Sequence, residues 1–349
     1  MIKKNNKVLW SIIFFLIATL TIWTVIRYNG GISINELLAD FNGKRIGWLF
    51  AALICMGLYV WLEGVSLLSL NRSLGYPGKF SDGLLYSTAD IYCSAITPSA
   101  TGGQPVSAYF MIKRGVPGAV ATVSLLVNLI MYTLSLLTIG AVCLIFKFDI
   151  LLTLPFPTQL LIYIGIAIQI ILILLFILLL RKGNLLWIIG DSSLRFLGWL
   201  HLLRRPNHKR VKLRHAIKEY HNYVRQVSGQ SPALVKAFIC NLLQRSVLIA
   251  ISGLVCLTMG GTLSDFITIC ALHAFVILGT SWIPIPGAMG VTDYMFLIGF
   301  ANCRPHWSED FSLHLELCAR GISFYACVLL CGGYLLFSII KDKVRKCEI

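Results

Sequence analysis

The segment "TPSATGGQPVSAYF" (residues 97–110) interrupts a chain that is otherwise rich in long apolar runs. Pro98 and Pro105 bracket a pair of adjacent glycines in this segment, and both residue types break α-helices. A second segment, "SWIPIPGAMGVTDY" (residues 281–294), has the same character near the other end of the chain. Inside a bilayer, irregular backbone is tolerated only where protein or a water-filled cavity satisfies its polar groups. The two segments therefore predict a polar site at membrane depth.

The composition indicates an integral membrane protein. Apolar residues make up 57% of the 349 residues and charged residues only 13%, and the mean hydropathy is +0.79. Soluble domains carry roughly 25% charged residues. Apolar runs of about 20 residues can cross a bilayer as helices, and they recur at residues 8–26, 46–70, 118–146, 160–180, 233–259 and 313–340. We therefore expect an all-α polytopic membrane protein, with a retained first helix in place of a cleaved signal peptide.

One membrane domain is expected to span residues 1–349. Its first half covers about residues 1–180 with a broken element at 81–114, and its second half covers 233–340 with a broken element at 263–302. Each broken element is predicted to be a re-entrant hairpin or a short helix pair. Broken segments in corresponding positions of two halves indicate an inverted repeat with a site at the midplane.

The positive charge predicts the orientation of the chain. The net charge of +15 is concentrated at helix ends and in the polar region at residues 181–232. This distribution is typical of cytoplasmic loops in a cell-membrane protein and argues against nucleic-acid binding. The N-terminus, this loop and the C-terminus are therefore expected in the cytoplasm, with residues 181–225 lying on anionic lipid headgroups. The first broken element would then start and finish inside, and the second outside.

The polar residues at membrane depth are the candidates for chemistry, because burying them unpaired is costly. Glu63 lies well inside the second helix, Asp90 and Gln104 flank the first break, and Arg245 lies too deep to reach the interface easily. Helices restarting near Pro105 and Val291 would direct unpaired N–H groups at the breaks, where they favour anions. Arginines suit a lipid phosphate, and carboxylates suit a headgroup amine.

Structural roles compete with these assignments. Arg114 could extend to the interface, and Asp293 could cap the helix that follows it. Glu316 and Arg320 are one turn apart and could pair only with each other. Either break could be a kink that only aids packing. The 11 cysteines show no metal-binding spacing, and neither a metal nor a cofactor is expected.

At both breaks the sequence resembles the lysylphosphatidylglycerol synthase transmembrane family. "TPSATGGQPVSAYFMIKRGV" is similar to that family's P-x-x-x-G-G-[DEQ]-x-x-R/A-Y element, and "IPIPGAMGVTDYMF" to its P-x-P-G-G-x-G-x-x-E element. "ARGISFYACVLLCGGY" resembles its arginine-bearing last helix. The chain departs from the family pattern at Asp293, Ala288 and Ser107, where glutamate, glycine and a basic residue are usual.

The resemblance implies a flippase-like protein. In bifunctional phosphatidylglycerol lysyltransferases, this portion moves aminoacylated phosphatidylglycerol to the outer leaflet and protects bacteria from cationic antimicrobial peptides. The soluble aminoacyltransferase domain of those members has no room in this chain. Physical reasoning and resemblance together give the substrate-binding candidates Glu63, Asp90, Gly102, Gly103, Gln104, Arg114, Asn128, Arg245, Pro286, Gly287, Gly290, Asp293 and Arg320.

The leading hypothesis is a translocator that moves a membrane phospholipid, such as lysylphosphatidylglycerol or another aminoacylated or anionic lipid, between leaflets. The sequence leaves open an intramembrane lipid-modifying enzyme, a channel, and a membrane partner subunit for a separately encoded phosphatidylglycerol lysyltransferase. It also leaves a homodimer open. No nucleotide-binding P-loop is present, so the driving force would come from gradients, the membrane potential or the headgroup concentration.

Overall fold

We analysed a computed structural model of the chain, which describes residues 45–97, 100–181, 192, 206–288, 290–304 and 307–347. The helices are α1 (Ile46–Ser73), α2 (Phe80–Ile96), α3 (Gly103–Lys113), α4 (Gly118–Phe146), α5 (Phe148–Thr153), α6 (Phe156–Arg181), α7 (Pro206–Ser228), α8 (Ser231–Thr258), α9 (Leu263–Thr280), α10 (Val291–Cys303), α11 (Glu309–Arg320) and α12 (Cys327–Cys347). A 3-10 turn at Pro286–Ala288 precedes α10, and a π-helical segment at Gly321–Ala326 joins α11 to α12.

The all-α polytopic membrane fold predicted from the sequence is confirmed. Within the described ranges, 6 helices are long and apolar enough to cross a bilayer: α1, α4, α6, α8, α9 and the continuous helix from α11 into α12. Five of them were predicted as full spans, whereas α9 was predicted only as part of the second broken element. The predicted helix at residues 8–26 lies outside the described residues.

The first break differs slightly from its prediction. Thr97 is extended, Ala100 has a φ of 53°, and α3 then begins at Gly103. The helix was expected to restart near Pro105, but this proline lies inside the first turn of α3. A proline is tolerated there because the first N–H groups of a helix have no intrahelical partner.

The second break restarts where it was predicted to. After α9 ends, Gly287 and Gly290 take φ values of 59° and 80°, and α10 begins at Val291. Only glycine adopts such angles without strain, so these residues turn the chain sharply before α10. Gly287 also faces the ring of Phe324, which leaves no space for a side chain.

The contacts at the helix ends define two ends of the molecule. At one, which we call the α7 end, Gln226 donates to the Ser73 carbonyl (3.3 Å) and Tyr220 donates to the Leu179 carbonyl (3.4 Å). Lys113 pairs with Asp342 there (2.6 Å).

At the opposite end, which we call the Arg45 end, the Arg45 guanidinium donates to the Gly261 carbonyl (3.1 Å). Arg304 pairs there with Asp265, which lies near the start of α9. Each broken element therefore starts and finishes at one end: α2 and α3 at the α7 end, α9 and α10 at the Arg45 end.

The two halves of the chain have matching elements that run in opposite directions. The helices α1, α2 and α3 contain 28, 17 and 11 residues, and α8, α9 and α10 contain 28, 18 and 13. α1 runs from the Arg45 end to the α7 end, and α8 runs back beside it in extensive contact. This arrangement has the features expected of the inverted repeat.

The centre and the periphery of the molecule differ in burial. α1, α2, α8 and α12 pack against one another and bury the polar residues discussed below. α6 lies at the edge, and nearly all of its aliphatic side chains are exposed or half-exposed, as expected for a lipid-facing helix. Its buried side is restricted to Thr158, Ile162, Gly165 and Gln169.

Candidate functional site

Two carboxylic acids meet in the centre of the molecule. Glu63 of α1 is 8% exposed and Asp90 of α2 is 4% exposed, and their carboxyl groups lie within hydrogen-bonding reach of each other. Two buried carboxylates this close would repel each other strongly, so one of the two groups carries a proton and can donate it to the other. The pair therefore holds one proton between two buried acids.

Side-chain amides hold this carboxyl pair in place. Gln244 of α8 donates to Glu63 (3.0 Å), and Gln104 of α3 donates to Asp90 (2.7 Å). Ser94 also donates to Asp90 (3.2 Å). Since Asp90 receives more donors than Glu63, the shared proton belongs on Glu63 and the negative charge on Asp90.

The first break brings α3 against this pair. Gly103 lies so close to Asp90 and Ser94 that a Cβ atom at this position would overlap the Asp90 carboxylate and the Ser94 hydroxyl. The same close approach places Gln104, the next residue, within reach of Asp90. Gly102 donates its N–H to the Thr97 hydroxyl (2.9 Å), which closes the turn before α3.

Arg245 of α8 lies beside the acids and is only 6% exposed. Its guanidinium stacks on the rings of Tyr132 (4.2 Å to the centroid) and Tyr59 (5.1 Å), and it donates to the Tyr59 hydroxyl (3.3 Å). It lies within electrostatic range of Glu63 and Asp90. Its Nε is buried without a hydrogen-bond partner among the described residues. The arginine therefore retains a donor that is not satisfied.

Asn128 belongs to a neighbouring layer, one turn closer to the α7 end. Its side-chain oxygen accepts hydrogen bonds from Ser66 (2.5 Å) and Asn241 (2.9 Å). All three side chains are at most 4% exposed. This layer and the acid pair form a continuous polar track, because Ser66 follows Glu63 and Asn241 precedes Arg245 by about one helical turn.

A second ionic cluster lies beyond the second break. Asp293 caps α10 by accepting the Gly290 N–H (2.9 Å) and also pairs with Arg320 Nε (2.9 Å). Arg320 lies 3.6 Å from Glu316 and donates to the Gly287 carbonyl (3.4 Å). The cap and the Glu316–Arg320 pair suggested by the sequence are therefore both present, but Arg320 also reaches Asp293. Asp293 and Glu316 are hydrogen-bonded to each other, so this cluster has the same composition as the first.

The structure brings the second break against a helix that contributes to the first cluster. The turn at Pro286–Ala288 packs on α2, the helix that carries Asp90. The π-helical segment connects Arg320 to Cys327, which lies within electrostatic range of Tyr59. A cavity of about 20 Å³, lined in part by His273, Glu316 and Arg320, adjoins the second cluster. A cavity of this size holds about one water molecule and no headgroup.

Arg114 is the candidate that the structure places elsewhere. It lies at the end of α3, where it pairs with Asp82 (3.4 Å) and Asp342 (3.2 Å) at the α7 end. α3 has 11 residues and a helix rises about 1.5 Å per residue, so Arg114 is about 16 Å from Gly103 along the helix. It joins neither cluster.

Sequence reasoning missed Gln244 and Ser94, which are uncharged and lie on helices whose facing sides were not known. A hydrogen bond from Gln244 to Glu63 joins residues that are 181 positions apart. The only available signal was that Gln244 precedes Arg245 in an otherwise apolar stretch. Among the described residues, no group of three metal-ligating side chains is placed to hold a metal ion.

Comparison with known proteins identifies the family of the chain. The family model for the lysylphosphatidylglycerol synthase transmembrane region matches residues 8–331, which include both breaks and both ionic clusters. No curated protein and no solved structure matches the chain. Since the match covers nearly the whole sequence, the chain belongs to the lysylphosphatidylglycerol synthase transmembrane family, and its function is membrane- and lipid-related.

Proposed function

We propose that this protein translocates a phospholipid between the two leaflets of the cell membrane, with the headgroup passing along the central polar track. The observation that carries the proposal is Arg245, a buried cation at membrane depth with an unsatisfied Nε donor. Isolated buried charge is costly, and intramembrane ionisable residues commonly mark substrate pathways. A lipid phosphate is the anion that a membrane offers to such a donor.

The track supports a path that is longer than one binding site. It begins with the Asn128 layer, passes the acid pair and Arg245, and reaches Arg320 on the far side of the π-helical segment. Arginine binds phosphate through several fixed donors. Two arginine–carboxylate clusters in succession would contact both the phosphate and the amines of a zwitterionic or aminoacylated headgroup.

The two breaks supply the parts that would move. They enter from opposite ends of the molecule and meet where the Pro286–Ala288 turn packs on α2, the helix that carries Asp90. Alternating access in transporters with inverted repeats is rocking of one element against the other around a fixed site.

We extend the proposal to the biological role and the cytoplasmic surface. Moving aminoacylated lipid to the outer leaflet would reduce negative surface charge and so weaken the binding of cationic antimicrobial peptides. α7 buries Tyr220, Val224 and Val227 and exposes Lys218 and Arg225, so its outer face suits anionic headgroups. Each such cation contributes about 1 kcal/mol near an anionic surface.

The test measures the translocation rate of headgroup-labelled phosphatidylglycerol or lysylphosphatidylglycerol in proteoliposomes. An impermeant quencher reports how much label lies in the accessible leaflet. Arg245→Ala is expected to reduce the translocation rate by about tenfold or more, since a hydrogen bond to a charged group contributes about 1.5–3 kcal/mol. Arg72→Ala, at an exposed arginine near the end of α1, is the matched control and is expected to transport normally. Wild-type protein that moves neither lipid under any gradient would refute the proposal.

The acid pair also favours a second candidate, an intramembrane enzyme that acts on a lipid. Paired carboxyl groups can serve as general acid and base. The same vesicles distinguish the two functions, because an enzyme would change the mass of the lipid whereas a translocator changes only its leaflet. Extracting the lipids for mass spectrometry after the transport assay decides between them.

A further inference from the structure

The proton on the Glu63–Asp90 pair has consequences beyond lipid binding. Both acids are more than nine-tenths buried, and Arg245 is the nearest cation. With one shared proton, the pair carries one negative charge and Arg245 carries one positive charge. The first cluster is therefore neutral, as a site in a low-dielectric interior should be, because uncompensated buried charge costs several kcal/mol.

No other strong charge faces the pair among the described residues. α1 contributes Tyr59, α4 contributes Tyr132, and α8 contributes Gln244 and Arg245. α2 contributes Ser94 and Cys93, and α3 contributes Gln104. α12 contributes Cys327 and Cys331. The charge balance of the cluster is thus set by two carboxyl groups and one guanidinium.

Binding of a phosphate would disturb this balance. The unsatisfied Nε of Arg245 offers a donor to an anion, whereas the oxygens of both acids already accept from Gln104, Ser94 and Gln244. A phosphate at Arg245 therefore adds one negative charge to a buried neutral cluster. The nearest group that can remove this charge is Asp90, which can take a proton while Glu63 keeps its own.

We propose that the Glu63–Asp90 pair is a proton-binding site that gains a second proton when a phospholipid phosphate binds Arg245, so that an anionic phospholipid crosses the membrane together with one proton. The proton goes to the Asp90 carboxylate and returns to water when the lipid leaves. This inference rests on the proposed translocation and adds its energy source. For phosphatidylglycerol, whose headgroup carries one negative charge, the lipid and the proton together carry no net charge.

Electroneutral cotransport has a distinct signature. A pH gradient would drive phosphatidylglycerol toward the leaflet facing the more alkaline side, and a membrane potential alone would not. With one proton per lipid, a gradient of about one pH unit corresponds to about tenfold accumulation at equilibrium. If the lipid instead crossed as an anion, the potential would drive it and the pH gradient would have no effect.

The first experiment measures how labelled phosphatidylglycerol distributes between the two leaflets of proteoliposomes. Either a pH gradient or a potassium diffusion potential is imposed. We expect wild-type protein to accumulate lipid with the pH gradient only. The double variant Glu63→Gln/Asp90→Asn cannot take up protons, so its transport should become insensitive to the pH gradient and sensitive to the potential. Glu309→Gln/Asp310→Asn removes two exposed carboxylates near the start of α11 and is the matched control. Protein-free vesicles give the background.

The second experiment needs no variant and no transport. Wild-type protein in weakly buffered detergent, with a pH dye, is titrated with short-chain phosphatidylglycerol. Uptake of about one proton per bound lipid is expected from linkage between the two binding events. Binding without proton uptake would overturn the inference even if the double variant failed to fold.

The outcomes separate this inference from the function on which it rests. Lipid movement that follows the potential, or that ignores the pH gradient, contradicts proton coupling and leaves translocation intact. No lipid movement at all contradicts translocation, and the proton-uptake titration then still decides whether the acid pair responds to a bound phosphate.

Discussion

Gly103 determines how closely α3 approaches the acid pair, because the space that a side chain would need is occupied by Asp90 and Ser94. Two of those contacts are with side-chain atoms that hold the proton site together, and a third is with the Asp90 backbone carbonyl at 2.6 Å. We expect Gly103→Ala to lower the free energy of unfolding by about 1–3 kcal/mol, the usual cost of overpacking. This decrease is measured by thermal unfolding in detergent, monitored by circular dichroism.

The matched control is Gly57→Ala, at an exposed position of α1 where no atom lies within 4 Å of the added Cβ. It should not destabilise the protein, since alanine favours helix over glycine. Equal stability of the Gly103→Ala protein and the wild type would show that α3 does not pack as tightly against α2 as the structure indicates.

At this scale the sequence singled out several residues that the structure brings together, but it did not predict all of their partners. Gln104 and Asp90 are only 14 positions apart on either side of one break, so their contact was foreseeable. The contact of Gln244 with Glu63 depends on how α8 packs on α1, which no local pattern specifies. Arg114 was grouped with the other arginines because of its charge, but the length of α3 carries it to the α7 end.

α6 shows how a helix that looks featureless in sequence is attached to the rest of the protein. Its buried residues Thr158, Ile162, Gly165 and Gln169 recur at intervals of four and three, which is one narrow face of a helix. Gly165 touches the backbone of α9 at Leu278, and Gln169 donates to Ser281 (2.9 Å) at the second break. The helix therefore docks through one glycine and orients the segment that follows α9.

We expect Gly165→Ala to be more damaging than most single-methyl additions, because its neighbour is backbone and cannot rotate away. We expect the free energy of unfolding to fall by about 3 kcal/mol, at the upper end of the range for overpacking. Lipid translocation should fall with it, since Gln169 would be pulled from Ser281. The control is Ala167→Val, which adds bulk on the exposed face of the same helix.

Unfolding in detergent and translocation in vesicles are measured on the same preparations of both proteins. If both variants behave alike, α6 is not docked through Gly165. The element itself was predictable from its length and hydropathy. Its docking face was not, because one glycine and one glutamine among aliphatic residues give too weak a periodicity.

At the scale of the whole molecule, the two halves repeat one plan with different chemistry. Asp90 and His273 are each the eleventh residue of the helix that precedes a break, and both are buried. His273 binds Ser252 of α8 (2.9 Å), whereas Asp90 binds Glu63 of α1. The two halves therefore keep a buried polar residue at this position, but it is an acid in the first half and a histidine in the second. The sequence alone indicated the repeat only through the two breaks, because the residues at matching positions differ.

The distribution of cations between the two ends predicts the orientation of the protein in the membrane. Among the described residues, the long basic helix α7 lies at the α7 end together with Arg72, Lys113 and Arg114. The Arg45 end has fewer cations. The positive-inside rule then predicts that the α7 end lies in the cytoplasm. The ten cysteines whose exposure the structure describes are buried or half-buried, so these ten give a low background for thiol labelling.

We expect Ser228→Cys, exposed at the end of α7, to react with a membrane-impermeant maleimide only after the cells are opened. Asp310→Cys, exposed near the start of α11 at the other end, should react in intact cells. Labelling in the reverse pattern would show that the protein has the opposite orientation in the membrane. The first break would then open to the outside. The inferred direction of proton and lipid movement across the cell membrane would then reverse, although the chemistry of the acid pair would not change.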